Sequence, residues 1–527
     1  MTTDALAALR AALGEDRVII DQDSLALAGQ DIFYRGDPVL AVVRPGGAED
    51  IRRLVDMARE HKLHLVPRGG GASYTSGYLS SRPDRAVQVD LRDMDAIREI
   101  NDRDLYAIVE PGVTWQALDE ALAPSGLEVP FRGPVSGRVA TIGGAIAQNA
   151  IFYGTGRHGT AADSVIGIEV VTGTGTILRT GSFGVETSLP FLRHFGPDLT
   201  GLFTSDAGVM GIKTAIVLRL RRRPPARDVV SFATADLAAL FDFLEAIGRD
   251  GHASQVMALD VKLESERVRQ TGLRAKIDYL RALLGGGGSL AKRAAEGVAM
   301  ARASLRAAPG RGMAVHIFVE GEDDAECRSR VAAATALARE RDLVAADPAV
   351  ARAMLRMPFG PVTGLAGAPG ERWVPIHAIL PHSRALEGMA VVEALVSERA
   401  EGLAEHGIKV RHLLATLGGG AVTLEPMFLW RDRLTPFADQ LLRGQGGSSP
   451  ADAPARPAAE AFVASLRKEM IDRLDAIGAL HTQLGRAYPY QQRLAPETAA
   501  LFRAIKRELD PDNIMNPGAL GTEPPTP

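Results

Sequence analysis

Hydrophobic and polar positions first alternate in a strand–helix–strand rhythm. Val39–Arg44 is a short apolar run that stops at Pro45-Gly46-Gly47. Ala48–His61 then sets Ile51, Leu54, Val55 and Ala58 at i, i+3, i+4 and i+7, with Glu49 and Asp50 in the first turn. That period predicts an amphipathic helix whose acids lie where its dipole favours them. A second strand, Leu63–Pro67, runs directly into Arg68-Gly69-Gly70-Gly71-Ala72-Ser73. Ala86–Leu91, Leu105–Val109, Val165–Thr172 and Ile212–Leu220 read as further strands, and Thr114–Ala123 as a helix.

After Arg221-Arg222-Arg223-Pro224-Pro225 the rhythm changes. Helices are expected at Leu237–Ile247, Asp324–Arg341 and Arg384–Glu405, with strands at Ala314–Glu320, Trp373–Leu380 and Ala421–Trp430. Between them lies a polar, Lys/Arg-rich helical stretch that breaks at Gly285–Gly288. Long helices between few strands predict one sheet covered by helices on one face. Gly444–Pro457 reads as a surface loop, and a helix starts at Pro496. The fold class expected is α+β. The expected division is 1–225, 226–455 and a C-terminal segment 456–527.

Composition narrows the function. The 527 residues carry 60 Lys+Arg against 64 Asp+Glu, a net charge of −4, which excludes a strongly basic nucleic-acid footprint. One cysteine, Cys327, excludes a disulfide framework or a Cys-based zinc cluster within the chain. The first twenty residues lack a signal peptide's apolar core, and no run approaches a membrane span. A cytoplasmic protein with no membrane span is the expectation.

The 55 glycines are clustered. Gly69–Gly71 follow a strand, and glycines there let the backbone approach a ligand and turn to positive φ. Successive free N–H groups, with the Ser73, Thr75 and Ser76 hydroxyls, would form an anion nest suited to a pyrophosphate. A tight solvent turn is the plain alternative. The loop is neither a GxGxxG fingerprint nor a P-loop. Thr141-Ile142-Gly143-Gly144 opens a ten-residue run, dominated by small side chains, through Asn149 to Ala150, which suits either a flat ligand or a close helix–sheet contact. Gly154–Gly159 and Gly208–Ile212 complete the set.

Five elements occur in order: Pro67-Arg68-Gly-Gly-Gly, Val109-Glu110-Pro111-Gly112-Val113, Ile142-Gly143-Gly144, Phe195–Phe203 leading to Gly208–Ile212, and Asp510–Gly518. Together they resemble the vanillyl-alcohol oxidase/p-cresol methylhydroxylase (PCMH-type) family of FAD enzymes over nearly the whole chain. The resemblance implies a two-subdomain FAD-binding lobe, then an α+β substrate cap, then a tail returning to the lobe. It places the FAD pyrophosphate on Pro67, Arg68, Gly69, Gly70, Gly71, Ala72 and Ser73. Thr141, Ile142, Gly143, Gly144, Asn149 and Gly154 would pass near the flavin, Gly211 and Ile212 near the nucleotide half, and Asn516 at the isoalloxazine end. Ala72 stands where some relatives attach FAD through histidine, Cys327 sits mid-helix, and Ala421–Phe428 offers no His or Tyr, so FAD is expected to be noncovalent.

The segment Leu480–Tyr490 is the expected catalytic wall. Strand alternation would send His481, Gln483 and Gly485 to one face. A neutral His481 suits removal of a substrate hydroxyl proton, and Arg486 suits a phenolate, carboxylate or reduced-flavin anion. The plain reading of His481 is a ring satisfying a buried backbone group. Tyr153 and His158 are second candidates, and Arg372 and Trp373 candidate pocket walls. No metal site is expected, since His377 and His382 alone make a weak pair. The resulting expectation is hydride transfer to flavin N5 from a small alcohol or phenolic, preferably aromatic, substrate. The alternatives are a D-2-hydroxy-acid dehydrogenase, a flavoprotein subunit passing electrons to a cytochrome, and a flavin-free protein whose glycine loops are only turns. A homodimer and a cytochrome or other electron acceptor are the partners the resemblance allows.

Overall fold

The computed structural model describes residues 2–270, 312–360, 370–444 and 454–522. The break expected at Gly285–Gly288 and most of the Gly444–Pro457 loop lie outside these residues.

Three sheets organise the chain. The first has four strands, in the order Val18–Ile19, Ala41–Val43, Ala86–Asp90 and His64–Arg68, the last three parallel. The helix Ala48–His61 crosses between two of them and buries Ile51, Leu54, Val55 and Ala58, the stripe its period predicts. The second sheet is antiparallel: Ile97–Asn101, Tyr106–Val109, Ile212–Arg219, Val165–Val171 and Ile177–Arg179. Its central strands are buried along their length, which explains their unbroken β-branched runs.

The third sheet has nine strands among the described residues, and it corrects the expectation of few strands beyond residue 225. Ala226–Thr234, Ala253–Asp260 and Lys409–Leu417 are strands that the pattern did not predict. Alanine, leucine and methionine fill much of the last two, so β propensity is weak and cross-strand pairing decides. The strand expected at Trp373–Leu380 is two, Glu371–Pro375 and Ala378–Pro381, both paired with Ala421–Arg431 and separated at Ile376-His377. The helix expected over Arg384–Glu405 likewise divides at Arg399 into His382–Glu398 and Ala400–Glu405.

Period-two alternation gives this sheet two different faces. Val315, Ile317 and Val319 pack into the large core shared with the helices Leu237–Asp250, Asp324–Arg339, His382–Glu398 and Pro457–Ala476. Phe318 joins a second cluster with Phe152, so the opposite face meets the first lobe. Cys327 is buried in the helix-side core.

Two long-range closures set the site. The tail Ile514–Asn516 lies beside the strand His64–Arg68, with Leu65 N donating to Ile514 O and Asn516 N donating to Leu65 O. Leu480–His481 pairs with Ala378–Ile379 at the end of the nine-stranded sheet. The tail therefore touches both the glycine loop and the cap.

Candidate active site

The glycine loop is built for close approach. A Cβ at Gly70 would overlap the Val139 carbonyl, and one at Gly69 would overlap Thr141 Oγ1. Only glycine lets this loop lie against the start of the helix Ile142–Gln148. Among the described residues, the N–H groups of Gly69, Gly70, Gly71, Ala72 and Ser73 find no acceptor. Five successive donors without a protein acceptor in a half-buried loop leave room for a ligand that accepts from them, and an anion does so well. Ser73 Oγ and Thr75 Oγ1 pair at 3.1 Å beside them. The donor set fits the pyrophosphate of FAD.

The neighbouring segments are pinned around this loop. Thr141 caps its helix, Oγ1 accepting from Gly144 N at 3.3 Å, and a Cβ at Gly143 would stand 2.6 Å from Pro111 Cβ. Gly143 thus makes a close packing contact, while a Cβ at Gly144 would meet only Thr141 Oγ1. Gly208, at φ 77°, turns against Pro67, where a Cβ would come within 2.5 Å of Cγ. Gly211 lies at φ 151° before buried Ile212. Asn516 is fully buried, and its Nδ2 donates to Gly77 O at 2.8 Å and to Ala207 O at 2.6 Å. Lys506, in contact with Asp510, donates to Val209 O and Met515 O, tying this turn to the tail.

Other expected residues take different places. Arg68 is buried between the Tyr78 and Phe437 rings, with Nη1 on Gln88 Oε1 at 3.1 Å, so it shapes the loop from behind. Asn149 ends its helix at φ 50°, Oδ1 accepting from Ala162 N and its carbonyl accepting from Thr482 Oγ1. At Gly154, φ is 90° and the Pro130 carbonyl leaves no room for a side chain. Arg486 donates to Ser76 O, Gly77 O, Asn516 Oδ1 and Pro517 O, clamping the loop to the tail.

The expected strand alternation at 481–485 does not occur. The strand ends at His481, and Gln483 and Gly485 have φ of 55° and 51°. Glycine at 485 allows close passage against the Thr75 carbonyl. Both nitrogens of buried His481 face protein acceptors, Nδ1 on His377 O at 2.6 Å and Nε2 on Asp475 Oδ1 at 2.8 Å. Its ring stacks on Tyr488 at 4.3 Å. This geometry suits bracing better than proton abstraction. Arg372 is also occupied, by Asp432, Glu460 and Phe33 O. Trp373 packs in the cap core beside Tyr74.

The titratable cluster beside the glycine loop contains residues the sequence pattern did not single out. Tyr74 Oη is 2.5 Å from His377 Nε2, with Gln483 Nε2 at 3.3 Å from the same atom. On the other side, His377 Nδ1 is 3.7 Å from Glu425 Oε2, and His377 N donates to Tyr488 Oη at 2.9 Å. Burial dominates every charge state here. It pushes the His377 imidazolium down to about 3, helped by the nearby Arg467 cation, and lifts Glu425 to about 8. The Tyr74 hydroxyl is raised well above its ordinary value. At pH 7 His377 and Glu425 are thus a neutral pair, too far apart for a hydrogen bond. One signal was present: Glu425 is the lone acid in an otherwise apolar strand, AVTLEPMFLW. His382 lies apart, near Gly248. Among the described residues no group of three His, Cys, Asp or Glu is placed to hold a metal.

A parallel sheet ending in an unpaired glycine nest, an antiparallel second sheet and a cap sheet over their seam define a PCMH-type FAD-binding fold. Residues 39–181 match the FAD binding domain, and residues 477–520 match the C-terminal domain of FAD linked oxidases. The chain thus carries an FAD binding domain and the C-terminal domain of FAD linked oxidases, with FAD as the cofactor these domains imply. It is 31% identical over 206 residues to glycolate oxidase subunit GlcD of Bacillus subtilis, covering 39% of this chain and 40% of that one. It is 31% identical over 213 residues to the mitochondrial D-lactate dehydrogenase [cytochrome] of Arabidopsis thaliana, covering 40% and 36%. The matches thus span about two fifths of each relative's length. A crystal structure of p-cresol methylhydroxylase with substrate bound shares the fold over 99% of this chain and 97% of that one, with a TM-score of 0.74 and 19% identity. Among the described residues no helix is long and apolar enough to cross a membrane.

Proposed function

We propose that this protein oxidises a small alcohol or alkylphenol, preferably aromatic, by hydride transfer to a noncovalently held FAD. The observation that carries the reading is the proximity of the unpaired nest, Gly69–Ser73, to the buried Tyr74–His377–Glu425 series. FAD supplies the two-electron acceptor, and this chain supplies position, dryness and a proton path. The Tyr74 hydroxyl donates to His377 Nε2, and its oxygen, which already accepts from the Gln483 amide, has a second lone pair for a substrate hydroxyl. Once the 3.7 Å gap between His377 Nδ1 and Glu425 Oε2 narrows to hydrogen-bond distance, the substrate proton passes along Tyr74 and His377 to the Glu425 carboxylate. With Glu425 titrating near 8, about a tenth of it is ionised at pH 7, so turnover rises with pH towards a plateau above 8. Arg486 and Asn516 hold the loop and the tail together around the cofactor.

An aromatic substrate is favoured by the phenol and imidazole rings at the seam. The second reading is a D-2-hydroxy-acid dehydrogenase passing electrons to a cytochrome, which the names of the two curated relatives favour. Anaerobic addition of aromatic alcohols, alkylphenols and D-2-hydroxy acids to the yellow protein tests both. Bleaching by the aromatic compounds supports the first reading, and bleaching only by hydroxy acids refutes it. FAD released by acid precipitation supports noncovalent attachment.

A further inference from the structure

A second buried polar site lies where the glycine-loop lobe meets the cap, away from Tyr74 and His377. A cavity of about 20 Å³ is lined by Arg132, Tyr153, Arg227, Ser254, Gln255 and Glu320, among others. Three guanidiniums, of Arg132, Arg221 and Arg227, stand against two carboxylates, Glu128 and Glu320. Arg221 Nη2 contacts Glu128 at 2.7 Å and Glu320 at 2.8 Å. Arg227 Nη2 contacts Glu128 at 2.5 Å and Glu320 at 3.3 Å. Arg132 is left over: its ion-pair contact is from Nε to Glu128, at 3.5 Å. The nearby Asp119 is taken by Arg223, and His158 approaches Glu320 only to 4.0 Å.

The unmet groups that line the cavity are donors, while Glu128 Oε1, which also lacks a hydrogen bond, lies outside the lining. Among the described residues neither the Arg132 guanidinium nor the Tyr153 hydroxyl has a hydrogen-bond acceptor. Gln255 Oε1 is used by Gly156 N, and Ser254 Oγ donates to Phe318 O. Water fits the volume, since one molecule needs roughly 10–15 Å³ of such space. Water, however, is neutral and leaves the third guanidinium without a counter-charge. A guest that only accepts, and that carries one negative charge, satisfies the donors and the charge count together.

We propose that this cavity binds one monovalent anion of halide size, which bridges Arg132 and Tyr153 of the first lobe to Arg227 of the cap. Occupancy ties the two lobes together, so the anion acts as a removable inter-lobe fastener. This assignment is independent of the substrate.

The test compares thermal melting of the FAD-loaded full chain in sodium bromide and in sodium gluconate at equal ionic strength. A saturable rise in melting temperature with bromide, and an anomalous bromide peak between Arg132 and Tyr153 in crystals, are expected. R132M should abolish the bromide–gluconate difference, and Y153F should shift the half-saturating bromide concentration upward several-fold should R132M fail to fold. Identical melting in the two salts and no anomalous peak would mean that the cavity holds water and would overturn the proposal.

Discussion

Replacing Glu425 with glutamine tests the electrostatics of the seam without a change of shape. Burial lifts the Glu425 carboxyl from 4.5 to about 8. The unfolded chain therefore ionises this group near 4.5, while the folded chain retains the proton to about 8. Between those values the folded state binds more protons than the unfolded one, so stability falls as pH rises, by about 1.4 kcal/mol per unit. The full window amounts to about 5 kcal/mol. His377 acts in the opposite sense. Its folded value is lowered from 6.5 to about 3, so its penalty is absent above 6.5 and grows as pH falls. The two slopes cancel between about 4.5 and 6.5, leaving a flat top there and a decline of roughly 2 kcal/mol from pH 6.5 to 8. Glutamine keeps the neutral hydrogen-bonding shape and cannot ionise, so E425Q should lose that alkaline decline. Melting temperatures at a fixed scan rate, at pH 5, 6.5 and 8 with saturating FAD, read the effect. Parallel declines of wild type and E425Q between pH 6.5 and 8 would refute the assignment of Glu425 as a buried neutral acid.

The remaining expectations concern the cofactor and the proton path. Y74F should keep FAD bound and slow anaerobic flavin reduction by substrate at least tenfold, whereas H481A should slow it less; a larger effect of H481A in stopped-flow bleaching would return the base role to His481. G70A should lose most of its FAD, measured as the ratio of flavin absorbance to protein absorbance, because its methyl would displace the Val139 carbonyl from the nest. K506M leaves Asp510 buried without its cation and should cost about 3–5 kcal/mol in urea unfolding; no loss would show that the tail is not held this way.

Much of the first lobe was legible along the chain because its signals are local. Ala48–His61 and the buried strands carry their own period, and the clustered glycines announce a backbone that must come close to something. The cap was less legible. Ala253–Asp260 and Lys409–Leu417 take their strand geometry from neighbours on both sides, a cause that local propensity cannot display. At 481–485 the alternation argument failed because positive φ at Gln483 and Gly485 is imposed by contact with Gln148 and Thr75, more than 300 residues earlier.

The sequence by itself determined the glycine clusters, the α+β class and the resemblance to FAD enzymes, since these reside in residue types at short spacings. Only the tertiary structure decided which side chains face one another at the seam. His377 and Glu425 meet within the nine-stranded sheet, from the gap between two strands and a third strand, and Tyr74 joins them from a loop only where this sheet packs on the first lobe. Folding also engaged both nitrogens of His481 and left the Glu425 side chain only 12% exposed. Charge state follows from burial and partners, and these exist only in the folded chain.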